Sequence, residues 1–530
     1  MFVALLFVIT SSSLLSQVFP ARILAVFPMP SISHQVVFRP LTQELAKRGH
    51  EVVVVTPDPA FPKGQTPPRL TEIDVHDISY NLWKRFVSAA AENNNDLFIQ
   101  LEVAFDLILD IFKTQLEVKE IKEILNNKKN KFDLLLLEAC IMPALSLAHV
   151  YDVPVIQISS FGGIVGNYEL FGTPNHPIFY PLPLRQKIYN LTMWEKVVEL
   201  YYNHYKLNKL TDKFELECDK VLTKIFGSNF PGLSKLKNNV HMLFLNIHSI
   251  WDNNRPVPQN VIYLGGLHQK PYKELPHNLS SLLDVSEHGV IYFSLGTNVD
   301  PSLLPPEKIK TIIKVFSKLP YDILWKWHSN MSFNMPDNVK IRKWFPQSDL
   351  LRHPKIKLFI TQGGLQSTDE AITAGVPLIG IPMLGDQWFN VEQYVHHGIG
   401  VRLDFETLSE ETLSNAIKTV IENESYRQNM ARFRSIVHDQ QETPLQRAVW
   451  WTEYVLRHSG AAHLRTPAAN LTWIQYYQVE LVIVLLASLI IAIALFIIMI
   501  RVTYYYLMMI LFQNKQKHKN KIGNGKLKLK

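Results

Sequence analysis

The sequence predicts an α/β protein. Two Rossmann-like domains face each other across a cleft, and a transmembrane helix lies near the C-terminus. Three observations carry this. The chain opens on strand, helix, strand: Arg22 to Pro28 (RILAVFP), Val36 to Arg48, and Glu51 to Thr56 (EVVVVT). A second series of short apolar runs separated by helical stretches starts near residue 260. Leu481 to Ile500 is a run of twenty residues without a charge, enough for about 30 Å of helix. With 530 residues and 47% apolar side chains, the chain can bury two sizeable cores.

In the first series, Gly49 sits where a helix C-cap glycine is expected. A helical, acid- and amide-rich stretch spans roughly 80–130. Next come a buried strand at Phe132 to Leu137, a helix from about Pro143 and a strand at Val153 to Ser159. Residues 170–235 read as irregular to helical. In the second series the strand candidates are Val290 to Leu295, Asp322 to Trp327, Val339 to Arg342, Lys357 to Thr361 and Val376 to Pro382. Residues 440–465 are helical and are expected to cross back onto the first domain. The resulting division is 22–265 and 266–465, with a membrane helix at 479–501 and a Lys-rich tail at 513–530.

Residues 1–21 read as a secretory signal peptide. With the C-terminal span this predicts a single-pass type I protein whose body is lumenal, because the Lys-rich side should be cytoplasmic. Five Asn-x-Ser/Thr triplets, at Asn190, Asn278, Asn330, Asn423 and Asn470, agree with a secretory compartment. The terminal KLKLK places Lys526 and Lys528 at a spacing that resembles a dilysine retrieval signal for the endoplasmic reticulum. The net charge of +7 equals the seven Lys of Gln513 to Lys530, so the body is neutral and offers no basic stripe for nucleic acid. Only Cys140 and Cys218 are present, which leaves pairing open. No His-Glu-x-x-His, Cys-x-x-Cys or Asp-x-Asp pattern occurs, so no metal or other cofactor is expected.

The most specific segment is Trp344 to Gln387, WFPQSDLLRHPKIKLFITQGGLQSTDEAITAGVPLIGIPMLGDQ. It reads as a strand, a Gly-Gly turn, a helix, a strand and a Gly-Asp-Gln turn, a unit whose loops bind anionic nucleotides. No Gly-x-Gly-x-x-Gly follows the first strand, where the chain reads PMPSISHQ, which counts against a nicotinamide or flavin enzyme. The order and spacing of the segment resemble the signature of the UDP-glycosyltransferases, the family of the glucuronosyltransferases. The wording QGGLQSTDEA is similar to the insect branch. The resemblance covers nearly the whole chain and implies the GT-B fold.

It also implies a UDP site. Trp344 would stack on uracil and Gln347 would read its edge; alone, the Trp would more often be core. Ser294, Gly296 and Thr297 would face the diphosphate, although a plain strand end looks similar. Gln362, Gly364, Gln366 and Ser367 would hold phosphate oxygens, Glu370 the ribose hydroxyls, and Asp386 and Gln387 the sugar. Ser367 to Glu370 also has the spacing of a capping box and reads as a helix N-cap. Most of the family carries His where this chain has Gln362. A neutral hydrogen bond in place of a charged one loses about 1–2 kcal/mol, roughly tenfold in rate.

Inverting sugar transfer needs a base for the acceptor hydroxyl. The resemblance assigns it to His34, expected in the loop between the first strand and its helix. Its carboxylate partner would be Glu138, where the family usually has Asp; a lone His or a loop acid would otherwise be structural. The expected activity is metal-independent transfer of glucose or glucuronic acid from a UDP-sugar to hydroxyls of small lipophilic acceptors, as in detoxification. The competing class is a lumenal binding partner that keeps the fold without turnover, with Gln362 and Glu138 as traces of decay. An adhesion ectodomain fails on the absence of repeats and disulfide modules. Homo- or hetero-oligomerisation is compatible with either enzyme or binding protein.

Overall fold

The computed structural model describes residues 20–92, 97–127, 131–297, 304–327 and 333–526. The body up to Asn470 forms one compact unit containing two parallel sheets. The first has seven strands in the order β3-β2-β1-β4-β5-β6-β7. These are β1 (Arg22–Val26), β2 (Glu51–Thr56), β3 (Leu70–Asp74), β4 (Leu134–Glu138), β5 (Val155–Ser159), β6 (Val240–Leu245) and β7 (Val261–Tyr263). The second has six, in the order β10-β9-β8-β11-β12-β13: β8 (Val290–Ser294), β9 (Asp322–Lys326), β10 (Val339–Arg342), β11 (Ile356–Thr361), β12 (Leu378–Gly380) and β13 (Gly400–Arg402).

The central strands are apolar on both faces, as a parallel sheet covered by helices requires. In β4 all five residues of LLLLE are buried, and in β8 all five of VIYFS. Three apolar clusters fill the spaces between sheets and helices; one of them joins Ile291, Phe293 and Trp325 to Ile312 and Phe316 of the helix Pro306–Phe316.

Each sheet reverses its order once, at β1/β4 and at β8/β11. At such a switch point adjacent connections leave in opposite directions and open a crevice beyond the strand ends. The candidate chemistry of this chain lies at these two places.

Several expectations are corrected. The second α/β series does not start near residue 260, because Val261–Tyr263 pairs with β6 and closes the edge of the first sheet. Strands β3, β6 and β13 were not foreseen. The edge strand β3 buries only Leu70 and Ile73 and β13 has three residues, whereas VHMLFL of β6 is an apolar run that could have been read. The first helix begins at Ile32, not Val36, so His34 stands in its first turn and not in a loop. The helix after β11 begins at Leu365 with Gly364 as its N-cap, so Ser367 is its third residue and caps nothing. Gly-Gly already supplies the turn, and the helix starts as soon as it ends.

The helix Pro444–Arg457 returns to the first sheet. Ala448, Val449 and Val455 join the cluster of Val37, Phe38 and Leu41, and Arg48 Nη1 is 3.0 Å from Glu453 Oε1.

The remaining unit, from Leu471 onward, is dominated by a helix of 48 residues, Val479–Lys526. Its segment Val479–Asn520 is long and apolar enough to cross a membrane, and it runs past the expected end at 501. Cys140 and Cys218 are both free thiols. Asn190, Asn278, Asn423 and Asn470 are exposed. Most of the expected signal peptide, together with Asn330 and Lys528, lies outside the described residues.

Candidate active site

At the first switch point, Glu138 ends β4 and is buried, with its side chain 1% exposed. Its Oε1 is 2.6 Å from His34 Nδ1, and its Oε2 accepts the amide of Met29 at 3.0 Å. A carboxylate can only accept, so the Nδ1 proton belongs to His34 and Nε2 keeps its lone pair. Glu138, one methylene longer than Asp, reaches Nδ1 directly. Asp133, at the strand's other end, accepts the Arg22 amide at 2.7 Å and serves structure.

Cys140 adds a third group that sequence reasoning left unassigned. Its thiol hydrogen-bonds Glu138 and is pushed well above its usual range by burial and by that carboxylate. His34, Glu138 and Cys140 offer ligand atoms within 4.8 Å of one another. Glu138 accepts from His34, from the Met29 amide and from the thiol, and so stands at the centre of this cluster.

At the second switch point, Ser294 ends β8 and accepts the Gly296 amide at 3.3 Å. Gly296 has φ +75°, and a Cβ there would lie 2.2 Å from Gln362 Nε2. Glycine is therefore required both for the left-handed turn and for the close approach of Gln362. Gln362 is buried, and its Oε1 has no partner among the described residues. Thr297 is exposed beside it. The Gly364 N-cap aims the first amides of Leu365–Ala374 at the same crevice.

Gln347 is held from three sides. Its Nε2 donates to Ser367 Oγ at 2.9 Å and to Glu370 Oε2 at 2.8 Å, while Oε1 accepts the Tyr292 hydroxyl at 3.1 Å. Glu370 is pushed up to about 7 by burial, against the opposing hydrogen bond from Gln347. Trp344, 65% exposed, presents its indole beside this cluster. Lys326, the last residue of β9, was not foreseen. Its Nζ lies 4.5 Å from the Trp344 ring centroid and donates to Gly296 O at 3.0 Å. A lysine ending a buried strand beside the nucleotide segment was the available clue.

Two residues are engaged differently from expectation. Gln366 Nε2 donates to Ser160 O, 3.0 Å away in the first half, and so ties the halves together. Gln387 is buried, and its Oε1 accepts the amides of Met383 and Leu384 at 2.8 and 2.9 Å, shaping the loop. Asp386 accepts from Asn390 Nδ2 at 2.9 Å. Burial raises its carboxyl above the ordinary value, while Asn390 and, across the crevice, His34 draw it down. Asn390 also accepts Trp251 Nε1 at 2.9 Å, a second strap between the halves. Thus His34–Glu138 and Asp386 approach each other from the two halves, and Asn390, bonded to both Asp386 and Gly363 O, joins Asp386 to the Gly-Gly turn.

Two parallel-sheet α/β domains, each with a crevice at its switch point, have the GT-B fold. The glycosyltransferase of kitacinnamycin, a solved structure, superposes with a TM-score of 0.54 at 20% identity, covering 83% of this chain and 99% of that one. The family described as "UDP-glucoronosyl and UDP-glucosyl transferase" matches residues 22–517, and the chain belongs to it. It is 36% identical over 487 residues to the ecdysteroid UDP-glucosyltransferase of Spodoptera littoralis nuclear polyhedrosis virus, covering 88% of this chain and 94% of that protein. It is 32% identical over 485 residues to UDP-glucosyltransferase 2 of Dactylopius coccus, covering 88% and 90%. The protein is accordingly a sugar transferase.

Proposed function

We propose that the enzyme transfers glucose or glucuronic acid, with inversion and without a metal ion, from a UDP-sugar to hydroxyls of small lipophilic acceptors. The observation that carries this reading is the buried His34–Glu138 pair facing Asp386 across the crevice. His34 Nε2 takes the acceptor O–H proton as that oxygen attacks the anomeric carbon. The bond from that carbon to the diphosphate oxygen breaks, and UDP leaves with the electron pair. Glu138 fixes the tautomer and stabilises the imidazolium. Main-chain amides at Gly364–Leu365 and the Gly296 loop receive the leaving charge in place of a cation.

Trp344 and Gln347 hold uracil, Glu370 the ribose, Asp386 the sugar. A relative named for ecdysteroids supports polycyclic alcohols among the acceptors. The intact His34–Glu138 geometry favours an active enzyme over a binding protein without turnover. The span Val479–Asn520 supports a membrane anchor, with the body lumenal in the endoplasmic reticulum and a conjugating, detoxification role.

The test is UDP release by the purified full-length protein in detergent. UDP-glucose and UDP-glucuronate would compete against a panel of phenols and sterols, with and without EDTA. Acceptor-dependent release that EDTA leaves intact is the expected result. Absence of release with every acceptor would overturn the reading.

A further inference from the structure

Lys326 is a buried ammonium that the mechanism above does not use. It is 9% exposed, and it forms no ion pair among the described residues. Its contacts are the Gly296 carbonyl at 3.0 Å and the face of Trp344 at 4.5 Å. Both are weak compensation for removing a positive charge from water. A buried charge with no carboxylate in ion-pair contact, at the carboxyl end of a strand in a ligand crevice, is suited to an anion.

Its surroundings narrow the anion. On one side is the indole assigned to uracil; on the other is the Gly296 turn, packed against Gln362. Anything running from the base platform to the diphosphate loop passes the ammonium. The neighbouring acid is Glu370, whose charge opposes the lowering of the Lys326 pKa by burial to about 8. Gln362 cannot carry charge, and its side-chain oxygen lacks a partner, so the crevice would otherwise meet a diphosphate with neutral donors alone.

On the reading of the crevice as a UDP site, we propose that Lys326 is the cation of that site. It binds the phosphate nearest the ribose and neutralises charge as UDP departs, supplying from β9 what Gln362 does not supply from β11. Nothing is transferred to or from Lys326 in the reaction; the anomeric C–O bond breaks as before, and the ammonium stays protonated against the departing oxygens.

Calorimetry on the full-length protein in detergent tests this with UDP, UMP and uridine as probes. The Lys326→Met variant keeps the length of the stem and removes the charge. It is expected to bind UDP and UMP at least tenfold more weakly while uridine changes by less than twofold. Equal weakening for all three probes would make Lys326 a prop for Trp344 and overturn the assignment, as would unchanged UDP affinity. Should Lys326→Met fail to fold, Lys326→Gln, whose amide can still donate to Gly296 O, is read with the same three probes, and unchanged UDP affinity in it would overturn the proposal. A wild type that binds neither UDP nor uridine would instead sink the donor-site reading itself.

Discussion

The two halves of the body share a sheet plan but divide the chemistry unequally. In the first half the candidate machinery is two side chains, His34 and Glu138, locked by one 2.6 Å contact and shielded from solvent. In the second half it is spread over turns, main-chain amides, amide side chains, the Glu370 carboxyl and the Lys326 ammonium around an exposed Trp344. A proton acceptor must sit in one tautomer at one place, and a buried carboxylate enforces that. A nucleotide is long and anionic, so many modest donors along a crevice hold it.

The comparison breaks most visibly at the pair. Glu138→Gln and His34→Ala are expected to lower kcat by about 10²–10⁴-fold with UDP affinity within twofold, read by turnover and calorimetry side by side. A parallel loss of UDP affinity would erase the division. Next in size, Trp344→Ala should weaken UDP by about tenfold or more, on the scale of about 1–3 kcal/mol for a base stacked on an aromatic ring, while His34 remains competent. Full affinity would remove the indole from the site.

A third effect sharpens the donor side. The Glu370 carboxyl is raised to about 7, chiefly by burial. Its folded pKa exceeds the ordinary value of 4.5, so the folded protein holds this proton more tightly than the unfolded chain. Stability from this group is greatest below pH 4.5 and is lost as pH rises towards 7. On the proposed ribose contact the hydroxyls would donate to the ionised form, so UDP affinity should rise severalfold between pH 6 and pH 8. Glu370→Gln should flatten that rise, and a profile unaffected by the substitution would contradict the contact. Smallest, Gln362→His should raise turnover by up to about tenfold. The enlarged side chain has to fit against Gly296, so a fall in turnover would show that packing outweighs charge there.

Legibility followed the same division. The strands at the switch points, β1, β4, β8 and β11, are apolar runs and were readable. The edge strand β3, LTEID with only Leu70 and Ile73 buried, and the three-residue β13 show no apolar run. Trp344, Gln347 and Glu370 were read together because they share one segment, and the structure brings Gln347 onto Glu370. The pairing of His34 with Glu138 lies 104 residues apart and came from resemblance. Lys326 was missed because a charge at the end of a strand looks like a solvated terminus until the neighbouring loops close over it. Gln387, read as a sugar ligand, spends its oxygen on its own loop.

The most direct measurement is a paired determination on His34→Ala: UDP affinity by calorimetry and UDP-sugar turnover with a phenolic acceptor, on the same preparation. Turnover falling by about a hundredfold or more with UDP affinity unchanged is the predicted result. Turnover at the wild-type level would contradict the account.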